Sequence, residues 1–278
     1  MVWNPSLAEL IPEGPGTDLP LLPPSLVRHC FAGCDDSTSP PTSTFSAHDL
    51  QCIYAWGHRN GLEDGRNPEK LDAALSSMRA AKDLGCRIVR VVCGDQDPWS
   101  DDPDVRLRQV NQLRAPLETI TREAERLDLV VAVENHVDRT IADVLGLVSP
   151  IGSENLGICL DVGNAMRVGD DPVSAVETAL RWIVMTHLRD LRVIDASRGD
   201  PGAWWPCVAL GEGDLDVPGI LAALASAPRC GAWLVELSNL WPGSSELETV
   251  DASLGYLRSW LDPVIEGPAG PLSQLSSP

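Results

Sequence analysis

No run of about 18 apolar residues occurs in this sequence, so nothing in it reads as a membrane-spanning helix. Positive charge is scarce: 21 Lys and Arg face 40 Asp and Glu, a net charge of −19. Such a field repels phosphate backbones and argues against nucleic acid as a partner. No C-x-x-C pair occurs among the eight cysteines, and Cys52, Cys86, Cys93 and Cys159 lie in or beside apolar runs. There a thiol behaves as a small hydrophobe, and neither a disulfide framework nor a paired-cysteine metal module is expected. The N-terminus lacks a basic patch followed by an apolar run, so no secretory signal is read and a cytoplasmic location is expected.

What the sequence does contain is a ladder of four metal-liking side chains, each closing a short apolar run. The runs are VVAVE ending at Glu134, GICLD at Asp161, VMTH at His187 and WLVE at Glu236. Short apolar runs with a polar last residue read as buried parallel strands. In a barrel of alternating strands and helices, the carboxyl ends of the strands carry the chemistry. Three carboxylates and one imidazole converging there would bind a divalent cation, with Mn²⁺ or Mg²⁺ favoured by the oxygen-rich set and Co²⁺ or Zn²⁺ also admitted.

The spacing supports a common face. The steps from Glu134 to Asp161 and from Asp161 to His187 each fit one βαβ unit. The step from His187 to Glu236 is longer, and its excess falls in residues 190–214, read as an enlarged loop with Trp204 and Trp205. These tryptophans either wall a pocket or pack beneath the loop. Along the rest of the chain, QCIYAW (51–56) and RIVRVV (87–92) read as strands. Helices are expected after Asn67–Pro68, over 105–127 with a kink at Pro116, over 140–148, after Asp171–Pro172, after Asp216, and over 245–261. Residues 1–50 hold eight prolines and read as an irregular segment containing weakly written first barrel units. Residues 51–261 form the barrel body and 262–278 a loose tail. Strict alternation of strand and helix implies a parallel sheet, and four consecutive strand-end ligands favour a (β/α)8 TIM-type barrel over an open doubly wound sheet.

At ENH (134–136), LDVGN (160–164), DP (171–172), HLRD (187–190), LGEGDLD (210–216) and LVEL (234–237) the chain resembles the sugar phosphate isomerase/epimerase family, the xylose isomerase-like barrels. That resemblance implies a metal-dependent isomerase or epimerase acting on a sugar or keto-polyol through an enediolate. Glu134, Asp161, His187 and Glu236 would be the ligands, and Glu134 and Glu236 the acid/base pair. The ketose epimerases carry a His three residues after the Asp, where this chain has Asn164. His136, Asn164, Asp190, Glu212, His58 and Arg59 are the candidates for substrate contact. The expected partner is a small carbohydrate, with a homo-oligomer admitted. Two other readings stand beside this one: a metal-dependent lyase of the dehydratase kind on a keto-sugar, and a non-catalytic, metal-stabilised barrel subunit. A DNA-repair endonuclease of the same barrel type would need more than five histidines, and this chain has no H-x-H pair.

Overall fold

The computed structural model describes residues 29–32, 51–57, 61–94, 102–193 and 205–266. Its main sheet is built from seven parallel strands: β1 (His29–Ala32), β2 (Gln51–Trp56), β3 (Ile88–Val91), β4 (Val130–Glu134), β5 (Leu156–Asp161), β6 (Ile183–Leu188) and, after a small hairpin, β9 (Ala232–Val235). They stand side by side in chain order, each paired in parallel with the next. The sheet curls. Parts of β4 and β6, next-nearest neighbours, approach within 8 Å Cα–Cα, closer than the roughly 9.6 Å of two flat strand spacings. This is the α/β barrel that the strand–helix alternation predicts. The first strand lies inside the 1–50 segment, within SLVRHCFAG.

The helices form where capping chemistry and apolar spacing coincide. Helix α1 (Pro68–Asp83) starts with Asn67 accepting from the Glu69 amide at 3.0 Å and Pro68 in the first turn. Helix α2 (Pro103–Leu127) buries Leu113, Leu117, Ile120 and Ala124 completely on one face. It is assigned as one helix through Pro116. Helix α3 (Ile141–Val148) opens on a reciprocal capping box between Thr140 and Asp143. Helices α5 (Pro172–Ala179) and α6 (Val217–Leu224) begin at the caps Asp171 and Asp216, where the sequence places them. Helix α7 (Glu246–Glu266) extends five residues beyond the expected end at 261.

A short helix and a small hairpin are additions. A short helix, α4 (Val162–Arg167), follows β5 directly, with Asp161 as its N-cap. Its six residues are too few for an apolar period to be read. Within the expected enlarged loop, β7 (Asp190–Leu191) pairs antiparallel with β8 (Cys207–Val208). Residues 194–204 between them, Trp204 included, lie outside the described residues. Trp205 is half-buried and packs against the main core, which is the second of the two readings for that residue.

Strand alternation sorts the apolar residues into two cores. Tyr54, Val89, Val91, Val131, Val133, Ile158 and Leu160 join the helices in an outer layer. Ile53, Ala132, Cys159, Val184, Met185, Ala232 and Leu234 form a smaller inner cluster, with Ile88 and Val130 against it. None of the described helices is long and apolar enough to cross a membrane.

Leu117 sits in the outer layer with no exposed surface. Leu117→Ala should destabilise the fold by about 2–5 kcal/mol, measured as a shift in the urea unfolding midpoint at unchanged slope.

Candidate functional site

Parity along the strands decides which polar residues face the barrel axis. Ala132 belongs to the inner cluster, so Glu134, two residues on, shares its face. The same holds for Asp161 after Cys159, His187 after Met185, Glu236 after Leu234, and Arg90 after Ile88. Strand β6 reaches this parity through an irregularity. The β5–β6 register shifts between Ile158 and Cys159, so that Ile158 pairs with Ile183 but Cys159 with Met185. Without that bulge, Thr186 would stand level with Asp161 in place of His187. Gly157 permits it: a Cβ there would fall 2.5 Å from Val184 Cγ1 and 2.7 Å from the Trp182 carbonyl.

The four side chains meet. One ligand atom from each of Glu134, Asp161, His187 and Glu236 lies within 4.8 Å of the others, and all four residues are buried. His187 Nδ1 is 2.8 Å from Glu236 Oε2, 3.5 Å from Glu134 Oε1 and 3.8 Å from Asp161 Oδ2. Two buried arginines answer the carboxylates. Arg90 Nε is 3.2 Å from Glu134 Oε2, and Arg189 Nη2 donates to both Asp161 Oδ2 and Glu236 Oε2. Burial pushes the Glu134 carboxyl upward, but Arg90 and His187 outweigh it and bring the pKa down to about 2. For Glu236, burial is likewise outweighed, by Arg189 and His187, and its pKa falls well below the ordinary range. Burial disfavours charge on His187, yet its anionic neighbours, Glu236 and Asp161 among them, hold its pKa well above the ordinary value.

A surrounding set of residues fixes these groups. Asn135 joins the ends of β4 and β5: its Nδ2 donates to the Asp161 carbonyl at 2.9 Å and its Oδ1 accepts from the Asp161 amide at 2.7 Å. Asn164 donates to Asp161 twice, from its backbone amide to Oδ1 at 2.8 Å and from Nδ2 to Oδ2 at 2.9 Å. Arg189 Nη1 donates to Ser238 Oγ at 2.9 Å. Its stem passes over α4 at Gly163, where a Cβ would lie 2.3 Å from Arg189 Cδ. Glycine is therefore required there by close approach rather than by backbone conformation.

The substrate-contact candidates part company in the structure. His136 stays near the site, with a buried Nδ1 that has no hydrogen-bond partner. Burial lowers its pKa against the pull of Glu134 and Asp161, so the ring is neutral. Asn164 Nδ2 is spent on the Asp161 carboxylate, so this side chain orients that ligand. Asp190 is fully buried. Its carboxylate accepts from the amides of Leu191 (2.9 Å), Gly211 (2.9 Å), Gly213 (2.8 Å) and Leu215 (3.2 Å), so it anchors the segment after β8. Glu212 is exposed and lines a groove with Arg192 and Trp241. His58 and Arg59 lie outside the described residues. Contributors not assigned from sequence include Asn135, whose place beside Glu134 in ENH is its one signal; Arg90 in RIVRVV; and Arg189, which follows His187 in HLRD.

The donor set suits a divalent metal ion. Three carboxylates and one imidazole, buried and within bonding reach of a common point, match the ligand chemistry of a hard or borderline cation. Crowded buried carboxylates also demand positive charge nearby.

Comparison with known proteins supports the barrel fold. A family model described as xylose isomerase-like TIM barrel matches residues 43–260. A curated relative, 3-oxo-isoapionate decarboxylase of Pectobacterium atrosepticum, is 28% identical over 132 residues, covering 48% of this chain and 48% of the relative. The match thus spans about half the length of that relative. Among solved structures, a D-tagatose 3-epimerase-like protein superposes with a TM-score of 0.67 at 18% identity, covering 87% of this chain and 91% of the other. A xylose isomerase-like TIM barrel protein from Mycobacterium smegmatis in complex with magnesium gives a TM-score of 0.62 at 16% identity, covering 84% and 83%. At these identities the structural likeness concerns the fold.

Two substitutions test the electrostatic reading. Arg90→Met strands a buried carboxylate at Glu134 and should cost about 3–5 kcal/mol of metal-free stability. Asp190→Ala leaves four amides without their charged acceptor and should cost about 3 kcal/mol or more. Chemical denaturation measures both, and limited proteolysis should locate new cleavage near 209–215 in the second variant alone.

Proposed function

Because the chain belongs to the family of xylose isomerase-like TIM barrels, we propose that it is a divalent-metal-dependent isomerase or epimerase of a sugar or keto-polyol. The observation that carries this reading is the buried tetrad of Glu134, Asp161, His187 and Glu236 on neighbouring strand ends. An ion held by these four residues, Mn²⁺ or Mg²⁺ by donor preference and Co²⁺ or Zn²⁺ as further candidates, would supply Lewis-acid polarisation of a carbonyl and its adjacent hydroxyl.

The chain's own residues do the rest. Glu134 and Glu236 come from strands that are not neighbours in the sheet, so they can approach a substrate from different sides. One removes the proton next to the carbonyl, leaving an enediolate, and the other returns it. Return to the opposite face gives an epimer, and return to the neighbouring carbon gives an isomer. Arg90 and Arg189 keep the two glutamates ionised and ready to accept, at some expense of basicity. Neutral His136 offers Nδ1 to a substrate hydroxyl. Asn135 and Asn164 hold Asp161 in one orientation throughout.

A second reading has its own support. The curated relative is a decarboxylase. Carbon dioxide leaving a β-keto acid gives the C–C electron pair directly to an enolate, with no C–H proton removed, whereas a β-hydroxyl leaves from the enediolate that proton abstraction forms; a metal held by the tetrad would stabilise either anion.

Metal analysis of the purified protein, followed by a screen of keto-sugars in D₂O, tests both readings. Deuterium uptake without net elimination is the isomerase outcome; release of carbon dioxide or water is the lyase outcome. Stoichiometric metal with neither would make the chain a scaffold. Glu134→Gln should lower exchange by about 10²-fold or more, and activity within about tenfold of the parent would remove Glu134 from the acid/base role. The raised pKa of His187 adds a pH signature. In the metal-free protein its charge contributes to stability below the unfolded-state value of about 6.5, and this contribution is lost as pH rises through the higher folded-state value. Metal uptake should therefore release about one proton and tighten with rising pH, which calorimetry in two buffers of different ionisation enthalpy reads directly.

A further inference from the structure

Strand β6 carries one residue more than its pairing with β5 needs. Val184 and Met185 are consecutive, yet both belong to the inner cluster, whereas a regular strand sends neighbours to opposite faces. The ladder gives the same result: as β5 advances from Ile158 to Cys159, the partner on β6 advances from Ile183 to Met185. Val184 is therefore the inserted residue of the bulge. On the other side of β6, the ladder with β9 begins above this point, at Met185 with Ala232, and runs regularly to Leu188 with Val235. The insertion is borne by the β5 side, and Gly157 is the residue it leans over.

The space that a side chain at 157 would need is the space that Val184 fills. A Cβ there would lie 2.5 Å from Val184 Cγ1, 3.0 Å from Val184 Cγ2 and 2.7 Å from the Trp182 carbonyl oxygen. Neither neighbour can step back. The Trp182 carbonyl accepts from the Ile158 amide at 2.8 Å. The valine is stiff at χ1, and with both γ-carbons close, rotation exchanges one contact for another. A methyl group at 157 therefore drives Val184 from its place. Without the insertion, β6 slips by one residue above Ile183, which turns His187 outward and brings Thr186 level with Asp161. The tetrad would then offer three carboxylates and a hydroxyl in place of three carboxylates and an imidazole.

We infer that Gly157, which has no side chain to offer a ligand, is a positioning residue of the metal centre, and that its fit to Val184 decides which ions the site accepts. With the imidazole turned inward the set suits Mn²⁺, Co²⁺ and Zn²⁺ as well as Mg²⁺; with a hydroxyl in its place only a hard, oxygen-seeking ion is well served. This rests on the metal-dependent reading above and extends it to the choice of ion.

The test loads the full chain with Mn²⁺ and reads it by pulsed EPR, which detects nitrogen bound to the ion; calorimetry gives the affinities for Co²⁺ and Mg²⁺. The parent should show the nitrogen signal and His187→Gln should lack it. Gly157→Ala should also lose the signal, and its Co²⁺ affinity should fall by about 10–100-fold while Mg²⁺ affinity changes far less. A second variant combines Gly157→Ala with deletion of Val184. The deletion removes the inserted residue, makes room for the methyl group and leaves Cys159 opposite Met185 and Asp161 opposite His187. Nitrogen signal and Co²⁺ affinity should both return. A glycine needed only for folding would lower stability without changing the ligand set, and losing a buried valine would not repair it. A nitrogen signal retained in Gly157→Ala overturns the inference. So does a combined variant that fails to fold or binds Mn²⁺ without nitrogen, and this arm decides the matter if Gly157→Ala alone does not fold. Parent protein that takes up Mn²⁺ without nitrogen overturns the inference and leaves the metal-dependent reading standing; absence of Mn²⁺, Co²⁺ and Mg²⁺ uptake defeats both.

Discussion

Three carboxylates gathered in the interior of a barrel are the constraint around which this protein is arranged. Glu134, Asp161 and Glu236 are nearly free of solvent and their oxygens are close together. Left alone, such a group would take up protons or open the structure. The barrel meets that demand with positive charge from several directions: His187 among the three, Arg90 reaching Glu134 from β3, and Arg189 bridging Asp161 and Glu236. The same demand is what makes the place fit for a divalent cation.

Precision at this cluster comes from the groups packed around it. Asn135 joins two strand ends through both of its amide atoms, and Asn164 holds the Asp161 carboxylate from below. Gly163 gives way so that the stem of Arg189 can cross α4. Asp190, adjacent to Arg189, gathers four backbone amides and so ties the β7–β8 region to the end of β6. A buried carboxylate that accepts several amides acts as a rigid staple, and the stretch after β8 depends on it.

Much of the architecture was legible before any coordinates. Six of the seven main strands, their parallel order and most helix starts follow from apolar runs, proline placement and the caps Asn67, Asp171 and Asp216. Strand β1 was not marked, because four residues beside proline-rich sequence carry too little period to separate from loop. Helix α4 was hidden for a related reason: its cap is a site residue, and its six residues complete fewer than two turns. The four amides gathered by Asp190 and the exposure of Glu212 depend on how the chain folds back and are not written in local sequence.

The sequence by itself determined which side chains close which strands, since a polar residue at the end of an apolar run is a local feature. It determined the ligand chemistry too, because three carboxylates and one imidazole are read from residue identity alone. Only the tertiary structure decided that His187 faces inward, because that depends on a bulge between two strands 25 or so residues apart, permitted by Gly157. It alone placed Arg189 on Asp161 and Glu236. Long flexible cations choose their partners by distance in space, and the curl of the sheet sets those distances.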